Sequence, residues 1–184
     1  MVCFFPCTLF TFSIHPKMPL KMCTRTANRY YNNFIVRLSR QKTVILILYT
    51  VGLDIIITLI FSTILFPSHT AGPVFASKIE GFFIAVLIGP FIETLLFQHL
   101  IIKFILKKSA TATLLACMVS AILFAISHYY SWEYILKTFI SGLLFASLFL
   151  IISHKRQNPV LIVFIAHAIY NCIGLIVDIL NGTI

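Results

Sequence analysis

The side chains of this sequence that could do chemistry are a few polar groups set inside long apolar runs. Glu93 has apolar stretches on both sides, and His128, His167 and Asn171 lie within or at the end of other such runs. A charge at the centre of a bilayer costs about 2.5–3.5 kcal/mol on insertion scales, so such residues often mark functional sites. A carboxylate can act as a general base, and imidazoles can bind a metal ion or orient water. The full set of candidates is Asp54, Glu93, Gln98, His99, His128, His167 and Asn171.

The composition predicts that lipid surrounds most of this chain. Of its 184 residues, 60% are hydrophobic and only 10% are charged, against about 25% charged residues in soluble globular proteins. We therefore expect an all-α integral membrane protein, a bundle of about five transmembrane helices with a polar site inside the membrane. The net charge of +9 could indicate binding to nucleic acid, but the basic residues cluster between apolar runs, which is typical of a topology signal.

Five apolar segments are long enough to cross about 30 Å of hydrocarbon. If the N-terminus is cytoplasmic and the C-terminus outside, twelve of the fourteen Lys and Arg fall on the cytoplasmic side, and Lys78 and Lys137 lie outside. This distribution favours that orientation. The segments are about Thr43–Phe66, Glu80–Ile102, Ala110–Tyr130, Tyr134–Ser153 and Pro159–Ile179.

Residues 1–42 form a basic N-terminal segment, and residues 43–184 form the membrane domain. The aromatic and aliphatic residues between Arg25 and Lys42 are compatible with an interfacial helix, whereas the charges are equally compatible with a partly disordered, solvated tail. The first apolar stretch lacks the pattern of a signal peptide. We therefore expect the mature chain to begin at Met18 or Met22 rather than at Met1.

Three fragments in this order, PFIETLLFQ, LFAISH and AHAIYN, resemble the three motifs of the CPBP family. This family includes the CAAX prenyl endopeptidases and the bacteriocin-processing Abi proteins, and its motifs are EExxxR, FxxxH and HxxxN or HxxxD. Glu93 matches the first glutamate, Phe124 and His128 match the second motif, and His167 and Asn171 match the third. The similarity covers about residues 84–174, and Gly142 stands where the family has a glycine.

The resemblance implies an intramembrane endopeptidase of a bacterial plasma membrane that cuts membrane-associated or leader peptides. It implies that Glu93 activates water, that His128 and His167 either orient the water or bind a zinc ion, and that Asn171 stabilises the oxyanion. The family has been described both as metalloproteases and as metal-free glutamate proteases, and the sequence leaves both mechanisms open. Phe124, Thr94 and Gln98 are assigned supporting roles.

The first motif departs from the family pattern, because Thr94 replaces the second glutamate and Gln98 replaces the arginine. Their spacing of four residues predicts a hydrogen bond between two neutral side chains in place of an ion pair. The departure also leaves open a non-catalytic protein on the same fold, such as a bacteriocin self-immunity or binding protein. A small proton-coupled transporter is a third alternative, but the sequence has no inverted repeat.

Three expectations concern residues outside the motif matches. Asp54 has no family counterpart, and we expect it to find a partner within the bundle. His99 is expected to face a neighbouring helix or the inner interface. His128 lies twenty residues after Lys108, about 30 Å along a helix, whereas Glu93 lies only about 15 Å from Lys103. Both lysines mark the inner boundary of the membrane, so the two motifs would lie at different depths. We therefore expect the third helix to project into the cytoplasm through residues 109–113.

Overall fold

The computed structural model describes residues 20–67, 72–73 and 75–182. The described residues form six helices and no strand, which confirms the all-α fold class. Of the two expected start positions, Met18 lies outside the described residues. The helices, numbered in chain order, are α1 (Leu20–Leu38), α2 (Thr43–Leu65), α3 (Lys78–Lys108), α4 (Thr113–Ile126), α5 (Trp132–His154) and α6 (Pro159–Leu180).

Among the described residues, four helices are long and apolar enough to cross a membrane, namely α2, α3, α5 and α6. Their outer faces expose many large apolar side chains, among them Leu48, Leu59, Ile64, Phe83 and Leu100. In water these faces would be a large unfavourable surface, whereas lipid tails are their natural solvent. The chain is therefore an integral membrane protein.

The predicted third segment, Ala110–Tyr130, is wrong in its length. Helix α4 has only 14 residues and is about 21 Å long. It ends at Ile126 because two side chains take the place of the next helical hydrogen bond. Ser127 Oγ and His128 Nδ1 both donate to the carbonyl of Phe124, at 2.7 and 2.8 Å. Side-chain bonds of this kind compete with the helical ladder.

The N-terminal end of α4 also differs from the expectation. Residues 109–112 form a turn rather than a helix projecting through them. The cap of α4 comes from α1: Asn28 Oδ1 accepts hydrogen bonds from the backbone N–H of Leu114 and from Thr113 Oγ1, at 2.9 and 3.1 Å. Such a cap provides a partner for an N–H that has none within the helix.

This placement of α4 removes the difference in depth between the two motifs. Glu93 lies fifteen residues before Lys108, the end of α3, and His128 lies fifteen residues after Thr113, the start of α4. At about 1.5 Å per residue, both lie about 22 Å from the turn that joins these helices. The two side chains can therefore meet.

Helix α3 alternates between two hydrogen-bonding patterns. Residues Phe82–Ile88 and Thr94–Ile101 are π-helical, and the short stretch Gly89–Glu93 between them is α-helical. Gly89 is required there, because a Cβ at this position would come within 2.8 Å of the carbonyl oxygen of Ile84. Such π-helical turns are rare and often occur at functional sites.

Helix α5 is the central helix of the bundle. In its most apolar stretch of 18 residues, 56% of the residues are buried, compared with 22% in the corresponding stretch of each of the other three long helices. Gly142 allows α5 to approach α4 closely, because a Cβ there would lie 3.0 Å from Ala121 Cα and from a ring carbon of Phe124. Ser131 caps α5 by accepting the N–H of Tyr134 at 3.1 Å. The close crossing positions the C-terminal end of α4 against the core.

Helix α1 packs on the bundle with its apolar side. Ile35 is buried in the core, and Tyr31 and Leu38 pack against it. Tyr31 Oη and Ser147 Oγ are hydrogen-bonded at 2.9 Å, and Lys155 Nζ donates to the carbonyl of Ser39 at 3.0 Å. The predicted boundary at residue 42 falls directly before α2.

The orientation in the membrane stays a prediction. We expect reporter fusions after Lys42 and Lys108 to give a cytoplasmic signal and a fusion after Thr183 to give an external one, because this orientation places twelve of the fourteen basic residues inside. The third fusion also tests whether the short helix α4 completes a fifth crossing. A cytoplasmic signal at Thr183 would contradict the five-crossing topology.

Candidate active site

Glu93, His128 and His167 meet in one cavity of the bundle, although they come from three different parts of the chain. Glu93 Oε1 lies 3.7 Å from His128 Nε2, and Glu93 Oε2 lies 3.6 Å from His167 Nε2. Glu93 is on α3, His128 is in the turn after α4, and His167 is on α6. Each carboxylate oxygen therefore faces a different imidazole.

The orientation of His128 is fixed by the same backbone carbonyl that ends α4. Nδ1 of His128 lies 2.8 Å from the carbonyl oxygen of Phe124. Since a carbonyl only accepts, Nδ1 carries the proton, and Nε2 of the neutral ring presents its lone pair to Glu93. The ring of Tyr134 stacks on that of His128 with centroids 6.1 Å apart.

His167 is held by aromatic packing. Its ring stacks on Phe145 with centroids 4.5 Å apart and meets the edge of Phe124 at 5.8 Å. The residue is only 3% exposed, and its Nδ1 has no hydrogen-bond partner among the described residues. Phe124, predicted to support the site, contacts both histidines, since its centroid lies 4.6 Å from that of His128.

Asn171 lies one turn after His167 on α6 and is anchored to α3. Its Nδ2 donates to the backbone carbonyl of Ala85, in the first π-helical stretch, at 2.7 Å. The side-chain amide has two N–H groups, so the bond to Ala85 leaves one of them for another acceptor.

All four predicted catalytic side chains line one cavity of about 960 Å³. This volume lies at the upper end of the range for small-molecule and peptide-sized sites, about 300–1,000 Å³. Its apolar wall includes Phe61, Phe66, Phe75, Phe124 and Phe145. Polar side chains also line the cavity, and besides the four predicted catalytic groups they include the carboxylates of Glu80, Glu133 and Asp178.

The predicted hydrogen bond between Thr94 and Gln98 is wrong. Both residues are completely buried, and Thr94 Oγ1 and both polar atoms of the Gln98 amide have no hydrogen-bond partner among the described residues. The prediction assumed α-helical spacing, but this stretch of α3 is π-helical. Neither residue lines the cavity, so they lie behind the site rather than in it.

Two other candidates from the sequence do not line the cavity. Asp54 is completely buried, and its Oδ1 accepts a hydrogen bond from Ser141 Oγ at 2.6 Å. This confirms the expectation that Asp54 finds a partner within the bundle. His99 contacts a neighbouring helix, as expected, since its ring meets the edge of Phe149 at 6.0 Å.

Sequence reasoning missed Lys137, which was counted among the charges outside the membrane. In the structure its side chain lines the cavity and donates to Tyr170 Oη at 2.5 Å. The signal was available, because Lys137 stands inside the predicted apolar segment Tyr134–Ser153. An ionisable residue inside such a segment indicates a functional site by default.

The types of the donors match a catalytic zinc site, since two histidines and a glutamate are a known set. However, no group of three His, Cys, Asp or Glu side chains among the described residues has an arrangement that could hold a metal ion. Glu93 turns one oxygen to each histidine instead of joining both around one point. Binding of a metal ion by His128 and His167 therefore stays a prediction.

Comparison with known protein families gives a match over the part of the chain that builds this site. The family described as type II CAAX prenyl endopeptidase, Rce1-like, matches residues 75–173, which is more than half of the chain and includes Glu93, His128, His167 and Asn171. Searches of curated proteins and of solved structures gave no match. The chain belongs to the Rce1-like family of type II CAAX prenyl endopeptidases.

Proposed function

We propose that this protein is an intramembrane endopeptidase in which Glu93 activates the water that cleaves a membrane-associated or leader peptide. The observation that carries the proposal is the convergence of Glu93 with His128 and His167 in a cavity large enough for a peptide segment. Family membership supports the same reaction class.

The distances in the site favour a water molecule as the reacting group. Separations of 3.6 and 3.7 Å between carboxylate oxygens and imidazole nitrogens are longer than normal hydrogen bonds. An ionised Glu93 and the lone pair of His128 Nε2 are both acceptors. A water between them can donate one hydrogen to each, which orients its oxygen towards the cavity.

Hydrolysis then needs one proton transfer in each direction. The water oxygen forms a bond to the carbonyl carbon of the peptide while Glu93 takes one of its protons. The negative charge develops on the carbonyl oxygen. The second N–H of the Asn171 amide and the imidazole of His167 can stabilise this charge. Glu93 returns the proton to the leaving nitrogen as the C–N bond breaks. The products are a carboxylic acid and an amine, and no other reactant is consumed.

The neutral pair Thr94 and Gln98 favours the alternative, a non-catalytic protein such as a bacteriocin self-immunity or binding protein. The family motif has a glutamate and an arginine at these positions, whereas here both side chains are buried without hydrogen-bond partners among the described residues. A protein that only binds a peptide has no need of a base in the cavity. Retention of all four groups that line the site supports the enzyme.

The test is a cleavage assay on the protein purified in detergent, with a library of apolar peptides and mass spectrometry of the products. We expect cleavage by wild type, and we expect the rate to be unchanged by the chelator 1,10-phenanthroline, because in the proposed mechanism Glu93 and the histidines act on water without a metal ion. Loss of activity with the chelator and its recovery with zinc would support the metalloprotease alternative. Tight peptide binding without any cleavage would favour the binding protein.

A further inference from the structure

The cavity that holds Glu93 is lined from one end of the helix bundle. The described residues that line it all fall within the ranges 58–93, 124–145 and 167–178. These ranges contain the ends of α2, α4 and α6 and the beginnings of α3 and α5. They lie together because consecutive helices run in opposite directions. We call this end of the bundle the mouth end, and we call the opposite end, with the turns 39–42, 109–112 and 155–158, the basic end.

The cavity is open at the mouth end and closed towards the basic end. Gly174 and Asp178 line it and are exposed, and the side chain of Glu93 keeps 26% of its surface accessible. Between the cavity and the basic end lies a layer of packed apolar side chains that do not line it, each at most 2% exposed. A layer packed to this density has no opening for a peptide. It consists of Ile102, Leu148, Phe149, Ile152 and Val163.

The proposed catalytic side chains lie close to the mouth end. His128 stands in the turn between α4 and α5, four residues before the exposed Trp132. Trp132 meets the ring of Phe66, which lines the cavity, at 5.0 Å, and Tyr129 beside His128 is also exposed. Exposed Trp and Tyr are enriched where a membrane meets water. A peptide at that surface is therefore near the site, whereas Glu93 lies about 22 Å from the turn after α3 at the basic end.

The charges of the two ends differ in a way that predicts which side of the membrane each one faces. Ten lysine and arginine side chains that the structure describes lie at the basic end, whereas Lys78 and Lys137 belong to the mouth end. Connections rich in Lys and Arg stay in the cytoplasm, so the mouth end is predicted to lie outside. The ten are Arg25, Arg29, Arg37, Arg40, Lys42, Lys103, Lys107, Lys108, Lys155 and Arg156.

We propose that the cavity is open to the external side of the membrane, and that this protein cleaves peptides which reach it from that side. Its substrates are then peptides that have already been translocated across the membrane or that arrive from outside. Translocation is the class of reaction that supplies the first kind. A leader peptide whose cleavage position is still in the cytoplasm is not a substrate. The cleavage itself rests on the proposed function, whereas the side on which the cavity opens can be measured without it.

The first test measures the side of the cavity by thiol modification. Gly174→Cys places a thiol in the exposed lining, where an added Cβ meets no atom within 4 Å. Ser109→Cys is the matched control, since Ser109 is exposed in the turn after α3 at the basic end. Spheroplasts of an expressing bacterium are treated with a charged methanethiosulfonate that does not cross membranes. Mass spectrometry locates the modified cysteine, so the five native cysteines can stay in place.

We expect Gly174→Cys to be modified in intact spheroplasts and Ser109→Cys to be modified only after detergent opens the membrane. Modification of Ser109→Cys from outside, or protection of Gly174→Cys until detergent is added, would overturn the proposal. Size-exclusion chromatography of both variants shows whether they keep the folded form of wild type.

The second test measures the side from which the substrate enters. A peptide that wild type cleaves in detergent is linked to a sulfonated dye, which keeps it from crossing the membrane, and is added to right-side-out and to inside-out vesicles. We expect cleavage by right-side-out vesicles and loss of cleavage in inside-out vesicles, with recovery when detergent opens them. Cleavage by intact inside-out vesicles would contradict the proposal. If no peptide is cleaved even in detergent, the proposed function fails, and the thiol modification still decides on which side the cavity opens.

Discussion

Glu93→Gln is expected to lower the rate of peptide cleavage by about 10²–10⁴-fold or more, the contribution of a general base. Glutamine keeps the size of the side chain and can still accept a hydrogen bond from water, but it cannot take a proton. The measurement is kcat/KM on a peptide that wild type cleaves, with the variant purified in the same detergent.

Glu80→Gln is the matched control, because Glu80 lies on the same helix, and its carboxylate accepts the backbone N–H of Ala76 at 2.6 Å, a bond that an amide oxygen can also accept. We expect its rate to stay close to wild type. A single symmetrical peak in size-exclusion chromatography and an unchanged helical circular dichroism spectrum would show that both variants are folded. Glu93→Gln with more than about a tenth of the wild-type rate would exclude Glu93 as the base.

His167→Ala is expected to cause a loss of similar size, about 10²–10⁴-fold. The ring of His167 presents Nε2 to Glu93 Oε2 at 3.6 Å, so its removal takes away a group that orients water and faces the developing charge. Because alanine also removes packing against Phe145, His167→Gln is measured beside it. Glutamine restores much of the volume and a hydrogen-bonding group, but not the geometry of the imidazole.

His99→Ala is the control for the loss of a histidine from the bundle. His99 contacts Phe149 and does not line the cavity, so we expect its effect on stability to exceed its effect on cleavage. The melting temperature in detergent and the cleavage rate are measured for all three histidine variants. If His167→Ala and His99→Ala lose activity only in proportion to their loss of folded protein, the catalytic role of His167 is wrong.

The fold class and most of the helices could be predicted from the sequence, because hydrophobicity acts locally. A run of apolar residues long enough to cross a bilayer must be a helix there, since its backbone polar groups have no water to bind. The observed helices α5 and α6 begin and end within two residues of the predicted segments. Their caps, Ser131 and Asn158, are the polar residues directly before each helix.

The candidate site was predictable for a related reason. Polar side chains in apolar helices lose their hydration unless they share a cavity, so Glu93, His128, His167 and Asn171 were expected to meet, and the structure brings them together around one cavity. The resemblance to the family motifs was needed to select these four from the seven polar candidates. Types and spacing were not sufficient for the hydrogen bond expected between Thr94 and Gln98, which assumed a regular helix where the chain is π-helical.

The contacts between distant parts of the chain were decided only by the tertiary structure. Helix α4 is capped by Asn28, more than eighty residues earlier, and Lys137 lines the cavity because Tyr170 of another helix accepts its hydrogen bond. Periodicity and hydrophobicity describe each segment and its surroundings separately. The partner of a polar atom depends on which helices pack side by side and at what depth, and this packing minimises the free energy of the whole bundle rather than of any one helix.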